Sequence, residues 1–110
     1  MVFGVFDGLH DGHRFFLREA KKRGGELIAV VARDAVVWLL KNKTPRHEEK
    51  VRVRAIRESG LADRVVLGDQ KQGTYAVIRR WKPDIICLGY DQHALVASIR
   101  MYIRYNGRVV

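Results

Sequence analysis

Short apolar runs recur along the chain, and amphipathic segments separate them. Several of these runs are nearly continuous in apolar and β-branched residues, which is typical of strands covered on both faces. They predict strands over residues 1–6, 26–32, 64–68 and 84–89, and a last strand over residues 108–110.

The segments between the strands carry apolar residues at helical spacing. They predict helices over residues 12–23, 35–40, 47–59, 74–82 and 94–105. Glycines follow the first and third helices, and Pro83 follows the fourth, as expected at helix ends. In the first helix we expect Phe15, Phe16 and Ala20 to form the inward stripe. Residues 41–46 are predicted to be a basic loop, broken by Pro45.

Strands that alternate with helices indicate an α/β fold, in which right-handed crossovers make the sheet parallel. We therefore predict a doubly wound parallel sheet of five strands with helices on both faces. A length of 110 residues is enough for one core, so residues 1–110 are expected to form a single domain.

Polar residues and glycines collect where the predicted strands end. In open sheets of this kind, ligands bind beyond the carboxyl ends of the strands. The predicted binding edge therefore carries residues 7–13, 33–34, 68–69 and 89–92.

The composition narrows the class of protein. No apolar run approaches the roughly 20 residues that cross a membrane, and no secretory leader pattern is present, so we expect a cytoplasmic protein without membrane contact. The single cysteine, Cys87, lies in an apolar run and is expected to be a buried, inert thiol.

The formal net charge of +9 favours an anionic partner, either a nucleoside triphosphate or nucleic acid. Because the basic residues are scattered along the chain, nucleic acid is the less favoured of the two.

The first predicted turn holds the candidate chemistry. The string G-V-F-D-G-L-H-D-G-H over residues 4–13 reads as a strand, a glycine-containing turn and the start of a helix. A helix N-terminus suits a phosphate because its N–H groups and dipole point there. Two histidines, His10 and His13, flank Gly12 at this place. A phosphate-handling site is our first hypothesis, and the competing interpretation is that each histidine is a helix cap or a surface residue.

The same residues resemble a known family. Gly4-x-Phe6-Asp7 followed by His10-x-Gly12-His13 is similar to the signature of the cytidylyltransferase-like nucleotidyltransferases. The resemblance implies a Rossmann-like fold and transfer of a nucleoside monophosphate from ATP or CTP to a phosphate-bearing acceptor, with release of pyrophosphate. The strings A-R-D, V-L-G-D and L-G-Y-D-Q are most similar to single-domain FAD synthases of the archaeal type, which implies that FMN is converted to FAD.

The resemblance also implies roles for individual residues. His10 and His13 would donate to the phosphate oxygens, and Lys43, or Lys41 nearly as well, would contact the triphosphate. The nucleotide would further contact the backbone of Val5 and Phe6 together with Gly12, Gly89, Asp91 and Gln92. Asp7 would orient the acceptor substrate or hold Mg²⁺, and Asp34 would contact the acceptor, although each carboxylate also suits a turn or helix cap. Arg52 is expected to pair with acids on its helix face.

The implied partners are a nucleoside triphosphate, a phosphorylated small molecule and, as in many relatives, a second copy of the chain. Mg²⁺ would accompany the triphosphate, and no separate protein metal site is expected. The family's Ser/Thr-rich element, which follows the last strand, is expected to be lacking. Two other functions therefore stay open: a nucleotide-binding module without turnover, and an RNA-binding domain.

Overall fold

A computed structural model describes residues 1–71, 75–88 and 108–109. The elements, in chain order, are β1 (Val2–Gly4), α1 (Asp11–Lys21), β2 (Ile28–Val31), α2 (Asp34–Lys41), α3 (Glu49–Ser59), β3 (Arg64–Leu67), α4 (Ala76–Trp81), β4 (Ile85–Ile86) and β5 (Arg108–Val109). This alternation confirms the predicted α/β class. The predicted helix over residues 94–105 lies outside the described residues.

All the strand pairings that the structure describes are parallel. One sheet has the order β1-β2-β3, and β4 pairs with β5 in a second sheet. In the first sheet Phe3 faces Val30, and Val30 faces Val66. The two sheets are joined by a parallel bridge between Val2 and Cys87, where the Cys87 N–H donates to the Met1 carbonyl at 3.0 Å. The carboxyl ends of β1 and β2 therefore lie side by side.

Helices cover both faces of the three-stranded sheet. On one face, Leu17 and Ala20 of α1 and Val53 and Ile56 of α3 pack in a cluster that includes Val31. On the other face, residues from two strands and from α4 form a second cluster, which contains Met1, Val30, Ile78 and Ile86. Alternate residues of β2 thus reach opposite cores, as strand geometry requires. Among the described residues, no helix has the length and apolar character needed to span a membrane.

The predicted inward stripe of α1 is wrong at Phe15. Its side chain is 64% exposed, whereas Leu17 is fully buried. At 3.6 residues per turn, two positions apart means about 200° around the axis, so these two residues cannot share a face. Phe16, which is partly buried, and Ala20 do pack on the core as expected.

Truncation of Leu17 should therefore be far more costly than truncation of Phe15. Leu17→Ala is expected to lower the free energy of unfolding by about 2–5 kcal/mol, because it leaves a cavity in the core. Phe15→Ala should change it by less than about 0.5 kcal/mol. Urea unfolding followed by circular dichroism measures both, and equal losses would contradict the burial seen in α1.

Candidate active site

The turn that follows β1, formed by residues 5–9 and called here the β1–α1 turn, is held in an uncommon backbone conformation. Phe6 has φ of 53° and Gly8 has φ of 74°. A Cβ at Gly8 would lie 2.5 Å from Nη2 of Arg46, the mobile end of an exposed side chain, so it is the backbone angle that favours glycine there. The Phe6 ring is buried and anchors the turn on the core.

The two histidines cap the N-terminus of α1 reciprocally. His10 is the N-cap, and its Nδ1 accepts from the N–H groups of Gly12 at 3.0 Å and His13 at 3.4 Å. In return, Nδ1 of His13 accepts from the N–H of His10 at 3.3 Å. This is the geometry of a capping box, with imidazoles in the places where serine and glutamate are usual.

The capping box brings the two imidazoles together. Their ring centroids lie 3.7 Å apart with an interplanar angle of 20°, and the Phe6 ring meets His13 edge-on at 5.4 Å. A nitrogen that accepts a hydrogen bond carries no hydrogen, so each neutral ring has its proton on Nε2. The capping box therefore fixes both rings as Nε2–H donors at the start of a helix.

Burial lowers the pKa of His13 below its usual value of 6.5, and the adjacent His10 lowers it further. The backbone of Gly8 acts in the opposite direction and raises this pKa. The net effect keeps His13 neutral near pH 7, which its accepting Nδ1 requires.

The lowered pKa of His13 should consequently make the folded protein less stable below pH 6.5. Since the folded state holds the proton of His13 less tightly than the unfolded state, the free energy of unfolding is expected to decrease as pH falls from 6.5 towards the lowered pKa. Denaturant melts between pH 7.5 and 5.5 measure this decrease. His13→Gln keeps an acceptor at the third helix position, which suits a capping box, but cannot titrate. A decrease of the same size in His13→Gln would contradict the assignment.

Asp7 connects the β1–α1 turn to the basic loop. Its carboxylate accepts from the N–H groups of Arg46 at 2.7 Å and His47 at 3.0 Å. Desolvation acts to raise the pKa of Asp7, but these two hydrogen bonds outweigh it and lower the pKa. Asp7 thus ties the end of the segment that follows α2 to the β1–α1 turn. Lys43 lies in that segment, whereas Lys41, predicted in the loop, is the last residue of α2, and both lysine side chains are exposed.

A group of charged residues connects the starts of α2 and α3. Asp34 and Glu49 each accept the other's backbone N–H, at 3.1 Å and 3.0 Å, so the first residues of α2 and α3 cap one another. Asp34 also pairs with the buried Arg52. Arg52 was expected to pair with acids of its own helix face, and its partner lies instead at the start of α2. Arg33 lies 3.5 Å from Glu49 and donates to the Gly68 carbonyl.

The imidazole pair is not sealed beneath packed side chains, because His10 is exposed and His13 is half-buried. A cavity of about 440 Å³ lies beside the turn, lined in part by Phe6, Gly8, Leu9, Arg14 and Val51, and neither histidine is among its lining residues. Of the predicted site residues, the structure brings together His10, His13, Gly12, Val5, Phe6 and Asp7. Asp34 reaches them through Arg52, which donates to the carbonyl of Val5. Gly89, Asp91 and Gln92 lie outside the described residues.

Glu49 and Arg52 were not among the site residues predicted from the sequence, although both bond to Asp34. A signal was present for Arg52. It lies one position from Val53 and four from Ile56, both buried on α3. A charged residue in an apolar stripe indicates a buried ion that needs partners.

The family model described as "Cytidylyltransferase-like" matches residues 1–110. The chain belongs to the cytidylyltransferase-like family. It is 50% identical over 92 residues to the FAD synthase of Aciduliprofundum boonei, an alignment that covers 84% of this chain and 60% of that protein. It is 43% identical over 110 residues to the FAD synthase of Thermoplasma volcanium, which covers 100% of this chain and 76% of that protein.

A solved structure has the same fold. The crystal structure of the lipopolysaccharide core biosynthesis protein from Thermoplasma volcanium GSS1 superposes with a TM-score of 0.88 at 39% identity, covering 100% of this chain and 91% of that one. The family predicted from the histidine motif is thus confirmed. The chain spans only 60% of the first of these FAD synthases and 76% of the second.

Proposed function

We propose that the chain catalyses transfer of a nucleoside monophosphate from a triphosphate to a phosphorylated acceptor. The observation that carries this proposal is the stacked pair His10 and His13, 3.7 Å apart, at the N-terminus of α1. A helix N-terminus favours anions, and two fixed Nε2–H donors add to it. The FAD synthases to which the chain is similar support a nucleotidyl transfer of this kind.

The reaction would be an in-line displacement at the α-phosphorus. An oxygen of the acceptor phosphate forms a bond to phosphorus, the bond to the bridging oxygen breaks, and pyrophosphate leaves with the electron pair. Negative charge spreads over the equatorial and leaving oxygens, so positioned donors matter more than a strong base. His10 and His13 would donate to these oxygens through Nε2.

The remaining candidate residues would hold the two substrates. Lys43, in the segment that Asp7 ties to the turn, would neutralise the β- and γ-phosphates, or Lys41 would do so from the end of α2. Gly12 and the backbone of Val5 and Phe6 would approach the phosphates closely. In this proposal Gly89, Asp91 and Gln92 contact the base and ribose, and Asp7 and Asp34 orient the acceptor.

Because the similar relatives are named FAD synthases, FMN is the first acceptor to test and ATP is the first donor. The product of that reaction would be FAD. The description of the structural neighbour as a lipopolysaccharide core biosynthesis protein makes a sugar phosphate the second acceptor to test. CTP is the alternative donor.

Magnesium would arrive with the triphosphate. Among residues 1–71, 75–88 and 108–109, no three or more His, Cys, Asp or Glu side chains form a group suited to a metal ion. Mg²⁺ is commonly held by substrate phosphates with only one or two carboxylates, and in this proposal Asp7 would be one of them. The ion would supply charge neutralisation of the triphosphate.

The proposal includes the finer architecture. We infer that the two sheets form a single doubly wound sheet of order β3-β2-β1-β4-β5 within one domain over residues 1–110. Its support is the contact between β1 and β4, where the Met1 amino group donates to the Ile85 carbonyl at 2.8 Å and the Cys87 N–H donates to the Met1 carbonyl.

One assay tests the function. The chain is incubated with ATP or CTP, Mg²⁺ and either FMN, glycerol phosphate or a sugar phosphate, and pyrophosphate release is measured alongside the product mass. Release that requires one acceptor supports the proposal and identifies the acceptor. Triphosphate binding without release would indicate a nucleotide-binding module instead. RNA binding that weakens steeply with salt and is not displaced by triphosphate would indicate an RNA-binding domain.

A further inference from the structure

Arg52 is a charged residue in the core of the helix layer. Its exposed fraction is 1%, although it lies on α3 between the exposed residues Val51 and Arg54 and beside the buried Val53. A buried guanidinium is tolerated only when its donors are hydrogen-bonded. The hydrogen bonds of its guanidinium therefore show which segments of the chain Arg52 connects.

The guanidinium bonds to four separate segments. Nε donates to the His47 carbonyl at 2.9 Å, and Nη2 donates to the carboxylate of Asp34. Nη1 donates to the carbonyls of Val5 and Ala32, each at 2.8 Å. One side chain thus joins the β1–α1 turn, the end of β2, the start of α2 and the loop before α3.

One of these bonds lies where the sheet ladder would continue. The bond from the Ala32 N–H to the Gly4 carbonyl at 2.9 Å lies at the end of the β1–β2 pairing. In a continued parallel ladder the Ala32 carbonyl would accept from the N–H of residue 6, but it accepts from the guanidinium instead, as does the Val5 carbonyl in the turn beyond β1. Because Arg52 satisfies the Ala32 carbonyl, β1 and β2 can separate here, and Phe6 turns to a φ of 53°.

We propose that Arg52 is a positioning residue for the imidazole pair. By fixing the Val5 carbonyl it holds the β1–α1 turn, and the turn delivers His10 and His13 to the start of α1. The expected loss of kcat rests on the proposed function, whereas the expected change in the two imidazoles does not. Lysine cannot replace the fork, because a single ammonium on a flexible stem cannot reach acceptors arranged around a plane.

The test compares Arg52→Lys with Arg54→Lys, the same change at an exposed position of the same helix. Arg52→Lys is expected to lower kcat at least about tenfold, as misplaced catalytic groups do, while the KM for the triphosphate changes less than about threefold. Arg54→Lys should leave both within about twofold. Circular dichroism verifies that each variant is folded at the assay temperature.

Nuclear magnetic resonance of the imidazole nitrogens provides a measurement that needs no turnover. The unmodified chain should show both rings as neutral Nε2–H tautomers, and Arg52→Lys should show a mixture of tautomers. A folded Arg52→Lys with unchanged kcat and unchanged tautomers would overturn the proposal. If the unmodified chain releases no pyrophosphate, the proposed function fails while the tautomer comparison still decides the role of Arg52.

A second pair of variants covers the case in which Arg52→Lys does not fold. Asp34 is 36% exposed, so its replacement is less disruptive. Asp34→Asn keeps an oxygen for Nη2 and should retain the Nε2–H tautomers, whereas Asp34→Leu removes the acceptor and should show the mixture. Identical tautomers in the two variants would overturn the proposal.

Discussion

Replacement of His10 or His13 by alanine is expected to lower kcat by about 10²–10³, the usual loss when one donor to a developing oxyanion is removed. The reason is that each ring is held by its own Nδ1 hydrogen bonds, which leave the opposite nitrogen as the donor. Pyrophosphate release at saturating triphosphate and acceptor measures the effect. Phe15→Ala, at an exposed position of the same helix, is the control and should retain activity within about twofold.

A loss of helix capping must be separated from a loss of chemistry. His10→Ala removes an N-cap and should also cost about 1 kcal/mol of stability. Asparagine is a good N-cap, so His10→Asn should keep the stability yet still lose kcat. If His10→Asn has the kcat of the unmodified chain, His10 serves only as a cap and the proposed chemistry is wrong.

The two histidine substitutions should not be additive. Each ring caps the other's backbone and the two are stacked, so removal of one disturbs the second. The double variant is therefore expected to have nearly the kcat of the more impaired single variant. Independent, multiplicative losses would show that the rings act separately.

The proximity of the two histidines was predictable because their contacts are local. His10, Gly12 and His13 lie within four residues, and a strand followed by a helix brings such residues together whatever the rest of the chain does. The local pattern of apolar residues also gave one wrong prediction, the inward position of Phe15. A stripe of three apolar residues on α1 fits more than one helix face, and only the packing against α3 and the sheet selects Leu17.

Arg52 shows why the rest of the site was not predictable. Its partners Val5, Ala32 and Asp34 lie 47, 20 and 18 residues away in sequence, and only the folded sheet brings them together. The same contacts explain a shortened strand. The first strand was predicted to reach residue 6, but β1 ends at Gly4, since Arg52 takes the Ala32 carbonyl with which a longer β1 would pair.

The start of α3 was also displaced by a distant contact. The helix was predicted from residue 47 and begins at Glu49. The N–H of His47 donates to Asp7, 40 residues away, which holds that part of the chain in the loop. Boundaries of this kind depend on tertiary hydrogen bonds that no local pattern encodes.

Substitution of Gly12 by alanine is expected to lower kcat by about 10², as displacement of reacting groups by an ångström does. A Cβ at this position would lie 2.9 Å from Cε1 and 3.1 Å from Nδ1 of His10, so the imidazole must move off its capping position. Helix propensity acts the other way, because alanine is favoured over glycine inside a helix by about 1 kcal/mol. Activity should therefore fall without a matching loss of stability.

Gly24→Ala is the matched control, since a Cβ there would meet no atom within 4 Å. It should retain kcat within about twofold, while Gly12→Ala should lose the 3.7 Å stacking of the two rings. Stopped assays of pyrophosphate release and imidazole nitrogen spectra of the same samples measure activity and ring geometry together. Full activity in Gly12→Ala with displaced rings would mean that the pair is not needed for turnover, because the substitution changes ring position and little else.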